Sequence, residues 1–246
     1  MNPIRYGKGL TNICSAENSR FLTTDQNNQT KIWNSINDIE CAVQLNNQIT
    51  ALAFRNNKIY VAKNIMELKA YDFQKKEDLG VLFLFNAQIQ ILSVNESNTL
   101  VYTSLANNQI QVMDIKANKI TNTLCHDKKI LQICLDPLEK YFAVLCCNET
   151  VKIWTQRNFQ NVQFFMNEKK KVNNKEFWKI SWHKSGNIIA LPSNNQVNFY
   201  EKSTWQKKFS IKIFDNIESN VSFCEFSSDI TKVLTGNCGQ IVLFIR

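Results

Sequence analysis

A chain of 246 residues that is 44% hydrophobic and 20% charged can bury a full core, which excludes an intrinsically disordered segment. Its longest purely apolar run, Val81-Leu82-Phe83-Leu84-Phe85, is far shorter than the roughly 20 residues of a membrane helix, and its start, MNPIRYGKGL, has no apolar signal core, so an intracellular protein without a membrane span is expected. The formal net charge of +8 favours acidic partners or nucleic acid, but the cations are mostly scattered lysines, with Arg only at positions 5, 20, 55, 157 and 246.

Taken in order, the chain repeats one pattern of short apolar runs. The first unit offers Ile13-Cys14, Phe21-Leu22 and then TKIW ending at Trp33. The second has Leu52-Ala53-Phe54, Ile59-Tyr60-Val61 and LKAY at Tyr71, and the third Ile89 to Ser93, Leu100-Val101-Tyr102 and IQVM at Met113. The fourth is the best preserved: Ile130 to Leu135, a break at Asp136-Pro137-Leu138-Glu139, Tyr141 to Cys146, a turn at Asn148-Glu149, and VKIW at Trp154. The fifth gives Ile180-Ser181-Trp182, Ile188 to Leu191 and VNFY at Tyr200, and the sixth Phe223 to Phe226, Lys232-Val233-Leu234 and IVLF at Phe244.

The closing residues of these units lie 38, 42, 41, 46 and 44 positions apart. A period near that of a four-stranded blade, with strands and no helical windows, predicts an all-β propeller in one domain over 1–246, since a lone meander cannot bury both faces. The links before the closing strands, such as Asn107-Asn108-Gln109, Asn148-Glu149, Asn194-Asn195-Gln196 and Asn237-Cys238-Gly239, carry residues that tolerate the positive φ of tight hairpins. The second unit departs from this, with Asn64-Ile65-Met66-Glu67.

Chemistry is sparse. There is no G-x-S-x-G elbow, no phosphate loop and no H-E-x-x-H, so an enzyme, a cofactor and a small-molecule substrate are not expected. Eight cysteines show no C-x-x-C pair and no ligand spacing with His126 or His183, which predicts reduced, mostly buried thiols and no metal site. The segment from Gln156 to Glu176 is the longest link between units and the most basic, with Lys169, Lys170, Lys171 and Lys175; it reads as a solvated loop with a possible phosphate contact.

The fourth unit resembles a WD-repeat blade. There, a Gly-His, a second-strand Ser or Thr, a turn Asp and a closing Trp form a hydrogen-bonded chain. In this sequence Cys125-His126 stands at the Gly-His, Cys146 at the Ser, Asn148 at the Asp and Trp154 at the Trp, so the resemblance implies a structural bond chain in worn form.

A closer resemblance lies one unit on. Trp182-His183-Lys184-Ser185-Gly186-Asn187-Ile188-Ile189-Ala190-Leu191-Pro192, followed by Val197 to Trp205 and Phe209, is similar to the amino-terminal propeller of the WD-repeat and HMG-box DNA-binding family, replisome adaptors of the chromosome-transmission-fidelity type. Arg5-Tyr6-Gly7, His126-Asp127 and Leu135-Asp136-Pro137 fall in the same order, whereas His183-Lys184 replaces the family's Pro. The resemblance implies seven blades where six are visible, so most of a seven-bladed ring lacking its last blade is expected; the alternative is a ring of six blades closed by pairing of Ile4-Arg5-Tyr6 with Gln240 to Ile245. It also implies a nuclear, non-enzymatic propeller that docks protein or peptide partners on its faces during DNA replication. Two other readings stay open: a scaffold of an unrelated ubiquitin-ligase or translation complex, and direct binding of DNA or chromatin through Lys128, Lys129, Lys169, Lys170, Lys171 and Lys175.

Overall fold

A computed structural model describes residues 10–15, 20–27, 29–35, 38–44, 49–63, 66–166, 179–215, 221–227, 232–236 and 241–245. These residues form strands and turns only, arranged as consecutive antiparallel sheets. The first sheet holds β1 (Leu10–Ser15), β2 (Phe21–Asp25), β3 (Gln29–Ser35) and β4 (Asp38–Gln44). The second holds β5 (Ile49–Arg55), β6 (Lys58–Lys63), β7 (Glu67–Asp72) and β8 (Glu77–Leu84), and the third β9 (Ile89–Val94), β10 (Leu100–Leu105), β11 (Gln109–Asp114) and β12 (Lys119–Cys125).

The fourth is built from β13 (Ile130–Leu135), β14 (Tyr141–Cys146), β15 (Thr150–Thr155) and β16 (Asn161–Met166). The fifth comprises β17 (Ser181–Trp182), β18 (Ile188–Ser193), β19 (Gln196–Glu201) and β20 (Lys207–Lys212). The sixth pairs β21 (Phe223–Phe226), β22 (Lys232–Gly236) and β23 (Ile241–Ile245). The chain groups into two compact units, Met1–Asp127 with the first three sheets and Lys128–Arg246 with the other three.

Each sheet is a simple meander in which neighbours in sequence are neighbours in space, as the hairpin chemistry requires. Asn108 and Asn194 take φ of 62° and 51° at their turns, while in the fourth sheet the left-handed position is Glu149, at 65°, one residue after Asn148. The turns at Asn64-Ile65 and Asn237-Cys238-Gly239, and the pairing of Ile4-Arg5-Tyr6, lie outside the described residues.

The cores lie between sheets. In the first unit Leu22, Ile32, Leu52, Phe54 and Ile59 join the first two sheets, and Tyr60, Leu68, Ile89, Val101 and Met113 join the second to the third. In the second unit Leu145, Ile153, Ile180, Trp182 and Ile189 fill the space between the fourth and fifth sheets, and Phe199, Val221 and Cys224 that between the fifth and sixth. The second strands β6, β10 and β14 are buried on both faces, which is why their sequences are nearly continuous apolar runs. One sequence expectation is corrected: the link from Gln156 to Glu176 is not all loop, because Asn161–Met166 pairs with β15 as a fourth strand.

Candidate functional site: a cleft between the fourth and fifth sheets

Of the residues expected to form the bond chain, Cys146, Asn148 and Trp154 belong to the fourth sheet and its turn, and His126 stands after β12. Cys146 closes β14 and is buried, opposite Ile130. Asn148 follows in the turn, where its Oδ1 accepts the Thr150 hydroxyl at 2.7 Å, the orienting job of a turn carboxylate. Trp154 stands in β15 opposite Phe142 and stacks on it, with ring centroids 6.5 Å apart and planes 14° from parallel. His126 follows β12 in the first unit, buried, with its amide donating to the Asn108 carbonyl at 3.0 Å.

A tie of the WD-repeat kind is seen in the first sheet. There Trp33 Nε1 donates to Thr23 Oγ1 at 2.8 Å, and Asp25 Oδ1 accepts the amides of Asn27 and Gln29 at 2.8 and 3.0 Å. Thr23 lies two residues past Phe21, the cross-strand partner of Trp33. The corresponding residue past Phe142 is Val144, while Cys146 is two further on. Thr23 and Asp25 are not among the residues expected from the sequence, although their spacing to the Trp of TKIW carries the signal.

Of the expected basic contact surface, Lys128 and Lys129 are exposed in the link before β13. Lys169, Lys170, Lys171 and Lys175 lie outside the described residues. His183 serves its turn: Nδ1 receives the Ser185 amide at 3.2 Å, lies 2.7 Å from the Ser185 hydroxyl, and its ring meets Phe226 edge-on.

The motifs that carried the resemblance converge on one place. The β13–β14, β17–β18 and β19–β20 turns lie together around a cleft of ~470 Å³. Its foundation is Asp136, whose side chain is wholly buried. Asp136 Oδ1 accepts the Leu138 amide at 3.0 Å, and Oδ2 accepts the Lys140 amide at 3.3 Å and Lys202 Nζ at 3.1 Å. A buried carboxylate is tolerable only with such partners.

Lys202 is held among Asp136, Tyr141 and Trp182. Its amide donates to the Asn187 carbonyl at 2.9 Å, and its ammonium lies 5.6 Å and 6.0 Å from the ring centres of Tyr141 and Trp182, a favourable placement for a cation. Trp205 meets Tyr141 edge-on at 5.3 Å and Trp182 at 6.2 Å, completing an aromatic wall. Gly186, at φ +67°, lets the β17–β18 turn close on Asp136; a Cβ there would stand 2.6 Å from Leu138 Cγ and 2.7 Å from Asp136 Oδ1.

The two sheets are also laced by hydrogen bonds from side chains of one to the backbone of the other. Gln132 receives the Ile180 amide at 2.8 Å on Oε1 and donates Nε2 to the Ile180 carbonyl at 2.9 Å, and Trp182 Nε1 donates to the Cys134 carbonyl at 3.2 Å. Burial, reinforced by the Glu225 carboxylate, pushes the Cys134 thiol up to about 12, and the same causes raise Cys224. Such thiols stay protonated and unreactive at neutral pH. Among the described residues no group of three His, Cys, Asp or Glu side chains could hold a metal ion.

Comparison with known proteins agrees with this architecture. The family profile described as the WDHD1 first WD40 domain matches residues 4–244. WD repeat and HMG-box DNA-binding protein 1 is 22% identical in mouse and in human, in each case over 97% of this chain and 21% of the relative. The Xenopus laevis protein of that name is 23% identical over 82% of the chain and 19% of its own length. The chain thus spans about a fifth of the length of these relatives. With blade-like sheets in unbroken succession and the match running nearly end to end, this chain belongs to the family of the WDHD1 first WD40 domain.

Proposed function

We propose that the chain is a non-enzymatic protein-interaction propeller of a replisome adaptor, acting in the nucleus at sites of DNA replication and chromatin assembly. The observation that carries this reading is the family match over residues 4–244, which falls on the strands and turns that build the blades rather than on a catalytic constellation. Rigid sheets with exposed turns suit the display of docking surfaces. The relatives are named for DNA binding and carry about four-fifths of their length beyond the matched region, so contact with DNA by this chain is a separate proposition.

The test is recovery of partners from cells in which the endogenous protein is tagged and crosslinked in synchronised culture. Replication-fork proteins should copurify during DNA synthesis and fall away outside it, with nuclear fluorescence of the tag. Stable association with ubiquitin-ligase or ribosomal components, independent of the replication phase, would overturn the adaptor role and favour an unrelated scaffold.

A further inference from the structure

The cleft between the fourth and fifth sheets contains more positive charge than its own carboxylates offset. Lys140, Lys202 and Lys208 line it against the single lining carboxylate of Glu201, with Asp136 beneath. Lys208 Nζ lies 3.3 Å from Glu201 Oε1, but both side chains are substantially exposed, so the pair is screened and easily exchanged. Lys140 projects from the β13–β14 turn, and among the described residues no carboxylate is paired with it.

Lys202 differs from an ordinary surface lysine. Only 12% of its side chain is exposed, it is fixed between Tyr141, Trp182 and Asp136, and Asp136 accepts one of the three hydrogens an ammonium can donate. A cation held this way loses little entropy when an acceptor arrives. Trp205 supplies a partly exposed aromatic wall beside it, and the Asn187 and Ser203 side chains add neutral polar groups.

We propose that this cleft docks an acidic peptide segment of a partner protein, a carboxylate seating on Lys202 between Lys140 and Lys208 while an adjacent apolar side chain rests on Trp205. Charge complementarity selects the occupant: three ammonium groups against the two carboxylates of Asp136 and Glu201 leave the cleft net positive, and the carboxylate of Asp or Glu offers a single negative charge to match Lys140, unpaired among the described residues. The inference rests on the interaction-propeller reading and names the chemistry of one partner.

The experiment titrates the whole 246-residue chain into a fluorescein-labelled peptide of alternating Asp, Glu and Leu. Saturable binding is expected. Lys140→Glu with Lys208→Glu, both exposed positions whose variants should keep the parental melting curve, should weaken it by about tenfold or more. Glu201→Gln, which removes the competing carboxylate, should tighten it severalfold. The control Lys128→Glu with Lys129→Glu should leave it unchanged.

Equal weakening by both double reversals would mean attraction to bulk charge and overturn the site, as would the absence of saturation. Preference for a phosphoserine peptide without carboxylates would overturn the occupant. Failure of the unsubstituted chain to bind the peptide, with replication-fork copurification intact, would reject the cleft alone, and the reverse pattern would reject the adaptor reading alone.

Discussion

Thr23 and Trp33 show how one hydroxyl closes a sheet. Both are buried, and the indole N–H has its acceptor on a neighbouring strand at 2.8 Å. Thr23→Val keeps shape and β propensity but removes that acceptor, so urea unfolding should register a loss of about 1–3 kcal/mol. The cysteines divide by surroundings at the same scale. Cys125 and Cys147 are exposed, while Cys134 and Cys224 sit in surroundings that hold their thiols protonated. Brief iodoacetamide treatment of the native chain, followed by peptide mass spectrometry, should modify the first two and spare the second two. The same shift gives a pH dependence. Below the ordinary value of 9.0 the Cys134 thiol is protonated whether folded or unfolded; as pH rises toward about 12 only the unfolded chain ionises, so stability is lost across that window. A melting temperature that failed to fall in alkali would contradict the desolvated surroundings of the Cys134 thiol.

At the scale of elements, the joint between the fourth and fifth sheets depends on the partnership of Asp136, Gly186 and Lys202. Removing Lys202 strands a buried carboxylate, so Lys202→Met should destabilise by about 3–5 kcal/mol. Gly186→Ala adds left-handed strain to a close approach on Asp136 and should cost about 2–4 kcal/mol. Chemical denaturation of each variant measures both, and a neutral result for Lys202→Met would mean that Asp136 draws its compensation from the turn amides alone. The elements themselves were unequally legible in the sequence. Strands β6, β10 and β14 were visible because burial on both faces demands unbroken apolar runs. The edge strands β8, β12 and β20 are largely exposed, so their apolar content is diluted, and β16 lies in a stretch whose sequence predicts a loop. Asp136, Gly186 and Lys202 were each within quoted motifs, but the contact between Asp136 and Lys202 spans 66 residues, and local pattern does not encode which turn of the next sheet a carboxylate will meet.

Across the whole molecule, the repeat period yielded the number of sheets, while the net charge of +8 left its purpose open. Duplex DNA offers a test that separates a dedicated surface from bulk attraction. Each lysine that contacts a phosphate contributes roughly one counterion to the salt dependence, so removing it lowers the slope of log affinity against log salt by about one. Lys128 and Lys129 are exposed on one link, whereas Lys140 and Lys208 belong to the cleft between the fourth and fifth sheets. Association with random duplex DNA should be weak and fall steeply between low and physiological salt. Reversing either pair should then reduce it to a similar degree, because the positive charge is distributed along the chain as scattered lysines. A slope change confined to Lys128→Glu with Lys129→Glu would instead locate a phosphate-tracking surface before β13, and binding that persisted at high salt would demand base or sugar contacts that net charge does not supply.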